Sequence, residues 1–66
     1  MNRTYSVYHD GVELLETESR RQAIQLAKAK ADEWQAAIHI YENDEITGDQ
    51  WLIMRVEPTQ GKEVSP

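Results

Sequence analysis

Sixty-six residues leave room for one domain and one core, and a chain this short buries only about 60% of the surface its unfolded form exposes. It has no cysteine, which excludes disulfides, thiolate metal sites and a cysteine nucleophile, and with two histidines a structural zinc site would have to recruit carboxylates. Twelve acidic against seven basic residues give a net charge of −5, a balance that disfavours direct binding to nucleic acid or to an anionic membrane surface.

From Thr4 to His9 the chain alternates, with Tyr5 and Val7 on one side and Thr4, Ser6 and Tyr8 on the other. Period two in β-branched and aromatic residues predicts a half-buried strand. Asp10-Gly11 tolerates positive φ and closes a hairpin. The second strand, Val12 to Thr17, places Val12 and Leu14 on one face and Leu15 on the other. Ser19, with Gln22 three residues on, fits a capping box that satisfies two amides at a helix start. Ala23, Ile24, Leu26, Ala27, Ala31 and Trp34 then recur at helical spacing, and neither Gly nor Pro interrupts the run to Gln35. Lys30 falls inside that stripe and is expected to extend its ammonium outward past Trp34.

Ala36 to Glu42 alternates again, setting Ile38 and Ile40 opposite Ala37, His39 and Tyr41. Asn43 to Asp49 reads as a polar turn containing Gly48. Gln50 to Glu57 supplies a fourth strand whose two faces are Trp51, Ile53, Arg55 and Leu52, Met54, Val56. Pro58 stops it, and residues 58–66 have the polar composition of a flexible tail. Residues 1–57 therefore predict a single α+β domain of order ββαββ, in which one helix covers one face of a four-stranded antiparallel sheet. Strand order 2-1-3-4 ranks first, because sequential elements tend to be neighbours.

Tyr5, Val7, Val12, Leu14, Ile38, Ile40 and one set from the fourth strand fill the covered face. What remains outside is aromatic. Tyr8, His39, Tyr41, Trp51, Ile53 and Arg55 form the candidate protein-interaction surface, since apolar patches mark interfaces and interfaces favour Tyr and Trp. The plainer alternative is that these rings sit half exposed, or that a loop or the tail folds over them. A second copy, paired face to face or edge to edge, is the simplest partner.

Arg20 and Arg21 stand at the helix start, where the macrodipole disfavours cations. Glu16 and Glu18 are the expected compensation; otherwise the pair offers an anion or acidic-partner site. Glu42, Asp44, Glu45 and Asp49 make an acidic surface without the spacing of a calcium loop, so no metal or cofactor is expected there. With Glu13, Glu16 and Glu57 they could imitate nucleic acid toward a basic partner. Catalysis is poorly served: Ser6 and His9, three apart on a strand, point to opposite faces, and no phosphate loop or paired-carboxylate motif is present.

The run Glu18–Ala31, with Gln22-Ala23-Ile24 and Ala27 at helical spacing, lies between a strand ending in Glu16-Thr17 and the strand Ile38–Tyr41. In this arrangement the chain resembles the small bacterial and phage-encoded ββαββ proteins of unknown function, over most of residues 4–57. The tryptophan that many of them carry just after the first turn is missing; Val12 occupies that stretch. The resemblance implies the fold and carries no site residue.

These readings converge on a non-enzymatic interaction module, homodimeric, that regulates or inhibits a protein partner. An acidic nucleic-acid-mimic inhibitor of a nucleic-acid-binding protein ranks second, and a small enzyme or ligand carrier last. Met1 to Tyr5 lacks the apolar region of a signal peptide, which favours a cytoplasmic location.

Overall fold

A computed structural model describes residues 2–59 of the chain. Its elements are β1 (Arg3–His9), β2 (Val12–Thr17), α1 (Arg20–Trp34), β3 (Ile38–Asp44) and β4 (Gln50–Val56). All four strands lie in one sheet of order β2-β1-β3-β4, and every neighbouring pair is antiparallel. The α+β fold and its strand order are those predicted from the sequence. Because β2 and β3 both flank β1, the helix carries the chain over β1 between them.

Local chemistry explains where each element starts and stops. Asp10 and Gly11 both take positive φ, 53° and 81°, which the two-residue hairpin turn requires. At the helix start Ser19 Oγ accepts from the Gln22 amide at 3.1 Å. The reciprocal half of the predicted capping box is relayed. The Ser19 amide donates to Thr17 Oγ1, and that hydroxyl donates to Gln22 Oε1 at 2.7 Å, so Thr17 stands between the two groups. The helix ends at Gln35, which adopts the left-handed conformation and donates its amide to the Ala31 carbonyl.

The core is small. Ala23, Ala27 and Ala31 are fully buried against Val7, Ile38 and Ile40, with Val56 beside them. An alanine stripe brings the helix close to the sheet, so three large side chains suffice to fill the space. Direct strand partners share a face, which places Ile38 with Val56, and Val7 with Ile40 and Met54, under the helix.

Each edge strand carries one extra residue. In β2, Val7 pairs with Leu15 and Tyr8 with Glu13, leaving Leu14 between them. In β4, Ile40 pairs with Met54 and Tyr41 with Leu52, leaving Ile53 between them. Both are β-bulges, and each delivers two successive apolar residues to the core: Leu14 with Leu15, and Ile53 with Met54. Strict alternation would have wasted one of each pair on the other face. The prediction that Leu15 faces away from Leu14 is corrected for this reason.

Other expectations also change. Val12 pairs with His9 at the end of the sheet and is 61% exposed, so it adds little to the core. Trp34, expected on the buried stripe, lies at the last turn, where its ring meets His9 at 4.9 Å and Lys30 Nζ sits 5.1 Å from its centroid. β3 runs two residues further than predicted, through Asn43 and Asp44. Asn43 pairs with Thr4 and Gln50, and Asp44 Oδ1 accepts from the Ile46 and Thr47 amides to hold the following turn. Past Pro58, the Thr59 amide donates to Asp32 Oδ1 at 2.6 Å, tying the chain to the end of the helix. The remainder of the predicted tail, residues 60–66, lies outside the described residues.

Enlarging the stripe is expected to disturb the fold more than removing the cap. Ala27→Leu should cost about 1–3 kcal/mol by overpacking, and Ser19→Ala about 1 kcal/mol. Urea unfolding followed by circular dichroism measures both.

Candidate functional site: the open face of the sheet

The face opposite the helix is built from rungs that cross all four strands. One rung reads Glu13, Tyr8, His39, Arg55, and the next reads Glu16, Ser6, Tyr41, Leu52. A third, shorter rung holds Thr4, Asn43 and Gln50.

The third rung and its neighbours form a hydrogen-bonded polar ladder. Asn43 Nδ2 donates to Thr4 Oγ1 at 3.0 Å and to Ser6 Oγ at 2.8 Å, while its Oδ1 accepts from Gln50 Nε2 at 2.8 Å. Thr4 Oγ1 in turn donates to Glu16 Oε2 at 2.9 Å. Thr4 and Ser6 are 5% and 3% exposed, so the ladder satisfies hydroxyls that neighbouring side chains shield from water.

The rest of the face is aromatic and apolar at its centre, with Glu13 and Arg55 at the β2 and β4 sides. Tyr8 and Tyr41 meet edge to face, with centroids 5.4 Å apart at 82°. They line an open groove of about 400 Å³ with His39, Asp10, Gly11 and Gln50. Leu52 stands beside Tyr41, half exposed. The strand neighbours of His39 are Tyr8 and Arg55, so its own rung sets no carboxylate beside it to orient the imidazole as a base.

Of the six residues predicted to share this surface, Tyr8, His39, Tyr41 and Arg55 do so. Trp51 and Ile53 do not, and that part of the expectation is corrected. The bulge at Ile53 shifts the phase of β4, sending Ile53 to the core and Leu52 outward. Trp51 pairs with Glu42, which pairs with Tyr5, so its ring lies on the helix side of the sheet. There Arg3 organises a cluster of its own. Its Nη1 donates to Glu42 Oε2, its Nε lies 4.0 Å from Asp44 Oδ2, and its Cζ sits 5.3 Å from the Trp51 ring centroid. The hydrogen bond to Glu42 and the nearby carboxylates raise the pKa of the guanidinium above its ordinary value. The sequence left open whether Trp51 with Ile53 or Leu52 with Met54 and Val56 faces away from the helix; the bulge splits both sets and sends Leu52 alone of the second set outward.

The four acids of the β3–β4 turn divide. Glu42 and Asp44 are engaged with Arg3 and with turn amides, whereas Glu45 and Asp49 are exposed. Among the described residues, no three His, Asp or Glu side chains converge as metal ligands. Arg20 and Arg21 join Lys28, Ile24 and Gln25 around a shallow groove of about 380 Å³ on the outer helix face. Glu16, expected to offset them, instead reaches Thr4 on the opposite side of the sheet.

Comparison of the chain with family models, curated proteins and solved structures finds no match. Among the described residues, no helix is long and apolar enough to cross a membrane.

Asn43→Leu is expected to destabilise the protein by about 1–3 kcal/mol, because it strips the Thr4 and Ser6 hydroxyls of a donor in a shielded position. The fall in the urea midpoint, at unchanged denaturant slope, measures that loss.

Proposed function

We propose that this protein is a non-enzymatic interaction module that binds through the open face of its sheet, as a homodimer and in the regulation or inhibition of a protein partner. One observation carries the reading: the helix lies on the other face, and Tyr8, His39 and Tyr41 are left around a groove, with Leu52 beside Tyr41. Among the described residues only Val7, Ile38 and Ile40 are fully buried large side chains, which gives this small chain reason to gain stability from a companion.

The face is a better candidate than the edges. Both edge strands are bulged, and a bulge twists a strand away from the straight ladder that edge-to-edge pairing needs. The acidic-decoy reading draws less support, since Glu42 and Asp44 are turned inward to Arg3 and to the turn.

Photo-crosslinking tests the assignment. A p-benzoylphenylalanine placed at Tyr41 should capture protein, whether a second copy or another chain, in cells producing the variant. The same group at Gln25, on the outer helix face, should not. Adducts from position 25 with none from position 41 would refute the proposal.

A further inference from the structure

We infer that the occupant of the open face is a second copy of this chain, stacked sheet on sheet about a two-fold axis that runs parallel to the strands between β1 and β3. The inference rests on the open face being the binding surface and specifies what binds there and in which orientation.

The order of charges along one rung selects this orientation. Glu13, Tyr8, His39 and Arg55 follow one another from the β2 edge to the β4 edge, so the rung begins with an anion and ends with a cation. Stacking about a strand-parallel axis lays β2 over the partner's β4 and β1 over the partner's β3. Glu13 then faces the partner's Arg55, and Tyr8 faces the partner's His39. By symmetry each pair is made twice, as an isologous contact demands. In the next rung Tyr41 lies over the partner's Ser6 and Asn43 patch. Leu52 meets the methylenes of the partner's Glu16, whose carboxylate is already drawn aside by Thr4.

The other face-to-face arrangement has its axis perpendicular to the strands, and it sets β2 over β2. That would turn the acidic β2 edge onto its own copy, with Glu13 against the partner's Glu13 or Glu16, which like-charge repulsion opposes. Charge order therefore selects one of the two stackings. Among the described residues, only the Arg55–Glu57 pair has to open to reach it; it is 2.8 Å long and largely exposed on both sides, and exposed pairs contribute little. Sheets stacked in this way sit about 10 Å apart with strands near 30° to each other, so the pairs nearest the axis stay in register while the long side chains of Glu13 and Arg55 span the offset. The helices end up on the two outer surfaces.

Four strands of about seven residues offer a face of roughly 19 Å by 23 Å, about 900 Å² for the two partners together and in the range of weak interfaces, so a dissociation constant in the micromolar range or above is expected.

A charge-reversal cycle tests the pairing. Glu13→Arg and Arg55→Glu are made singly and together in the full 66-residue chain, and association is followed by sedimentation equilibrium from about 10 μM to about 1 mM. Both positions are exposed, so circular dichroism should show all variants folded. Each single reversal is expected to weaken the dimer about tenfold, and the double reversal, which restores opposite charges across the interface, should recover to within about threefold of the parent. A parent chain that stays monomeric throughout, or a double variant no tighter than the weaker single, overturns the inference.

Two further variants separate this failure from failure of the broader reading. If Tyr41→Ala abolishes the dimer but the charge cycle shows no recovery, the open face stands and this orientation falls. If the parent is monomeric while the crosslinker at position 41 captures a different protein, the face stands and the second copy falls. A dimer that survives both Tyr41→Ala and Leu52→Asp sinks the two together.

Discussion

One 15-residue helix has to shield a four-stranded sheet, and it can lie on only one side of it. The alanines at positions 23, 27 and 31 make that contact close, and Val7, Ile38 and Ile40 fill it. The other side must be finished by different means. At one end it is finished internally, by the ladder of Thr4, Ser6, Asn43, Gln50 and Glu16, where each hydroxyl or amide meets a partner. At the other end, among the described residues, Tyr8, His39, Tyr41 and Leu52 have no such closure. The division of that face into a satisfied polar half and an aromatic half flanked by Glu13 and Arg55 is what gives it the character of a binding surface.

The two bulges link the core to the surface. A small core gains by receiving both members of Leu14-Leu15 and of Ile53-Met54, and a strand can present two neighbours to one side only by inserting an extra residue. The insertion has a second effect. Beyond the bulge the alternation of β4 is reversed, so Trp51 leaves the open face and Leu52 enters it. A third effect is protective, because both bulges sit in the strands with free edges, where regular pairing with another chain would otherwise be easiest. Core filling, surface composition and edge protection thus share one cause.

Charge is distributed unevenly over the molecule. Arg20, Arg21, Lys28 and Lys30 lie on the helix, whose first three turns carry no acid, although the chain as a whole is strongly acidic. Arg3 gathers Glu42 and Asp44 on the helix side of the sheet, which leaves Glu13 at the β2 edge and Arg55 near the β4 edge of the open face. That face therefore has a direction, and a directional face can distinguish one way of stacking from another.

Much of this was legible in the residues. Asp10-Gly11 announced the hairpin, Ser19 and the alanine stripe announced the helix, and alternation in β1 and β3 placed Val7, Ile38 and Ile40 inward and Tyr8, His39 and Tyr41 outward. Those signals are local: turn φ, cap hydrogen bonds and side-chain period act within a few residues and leave their mark in any short window. The fate of Leu14, Trp51, Leu52 and Ile53, by contrast, was decided only in the assembled sheet. Whether an apolar doublet in a strand is absorbed by a bulge depends on the register with the neighbouring strand and on space under the helix, and neither is encoded in the period of a single strand. Glu16 and Glu42 belong to the same class, since the partners that claim them, Thr4 and Arg3, come from a different strand.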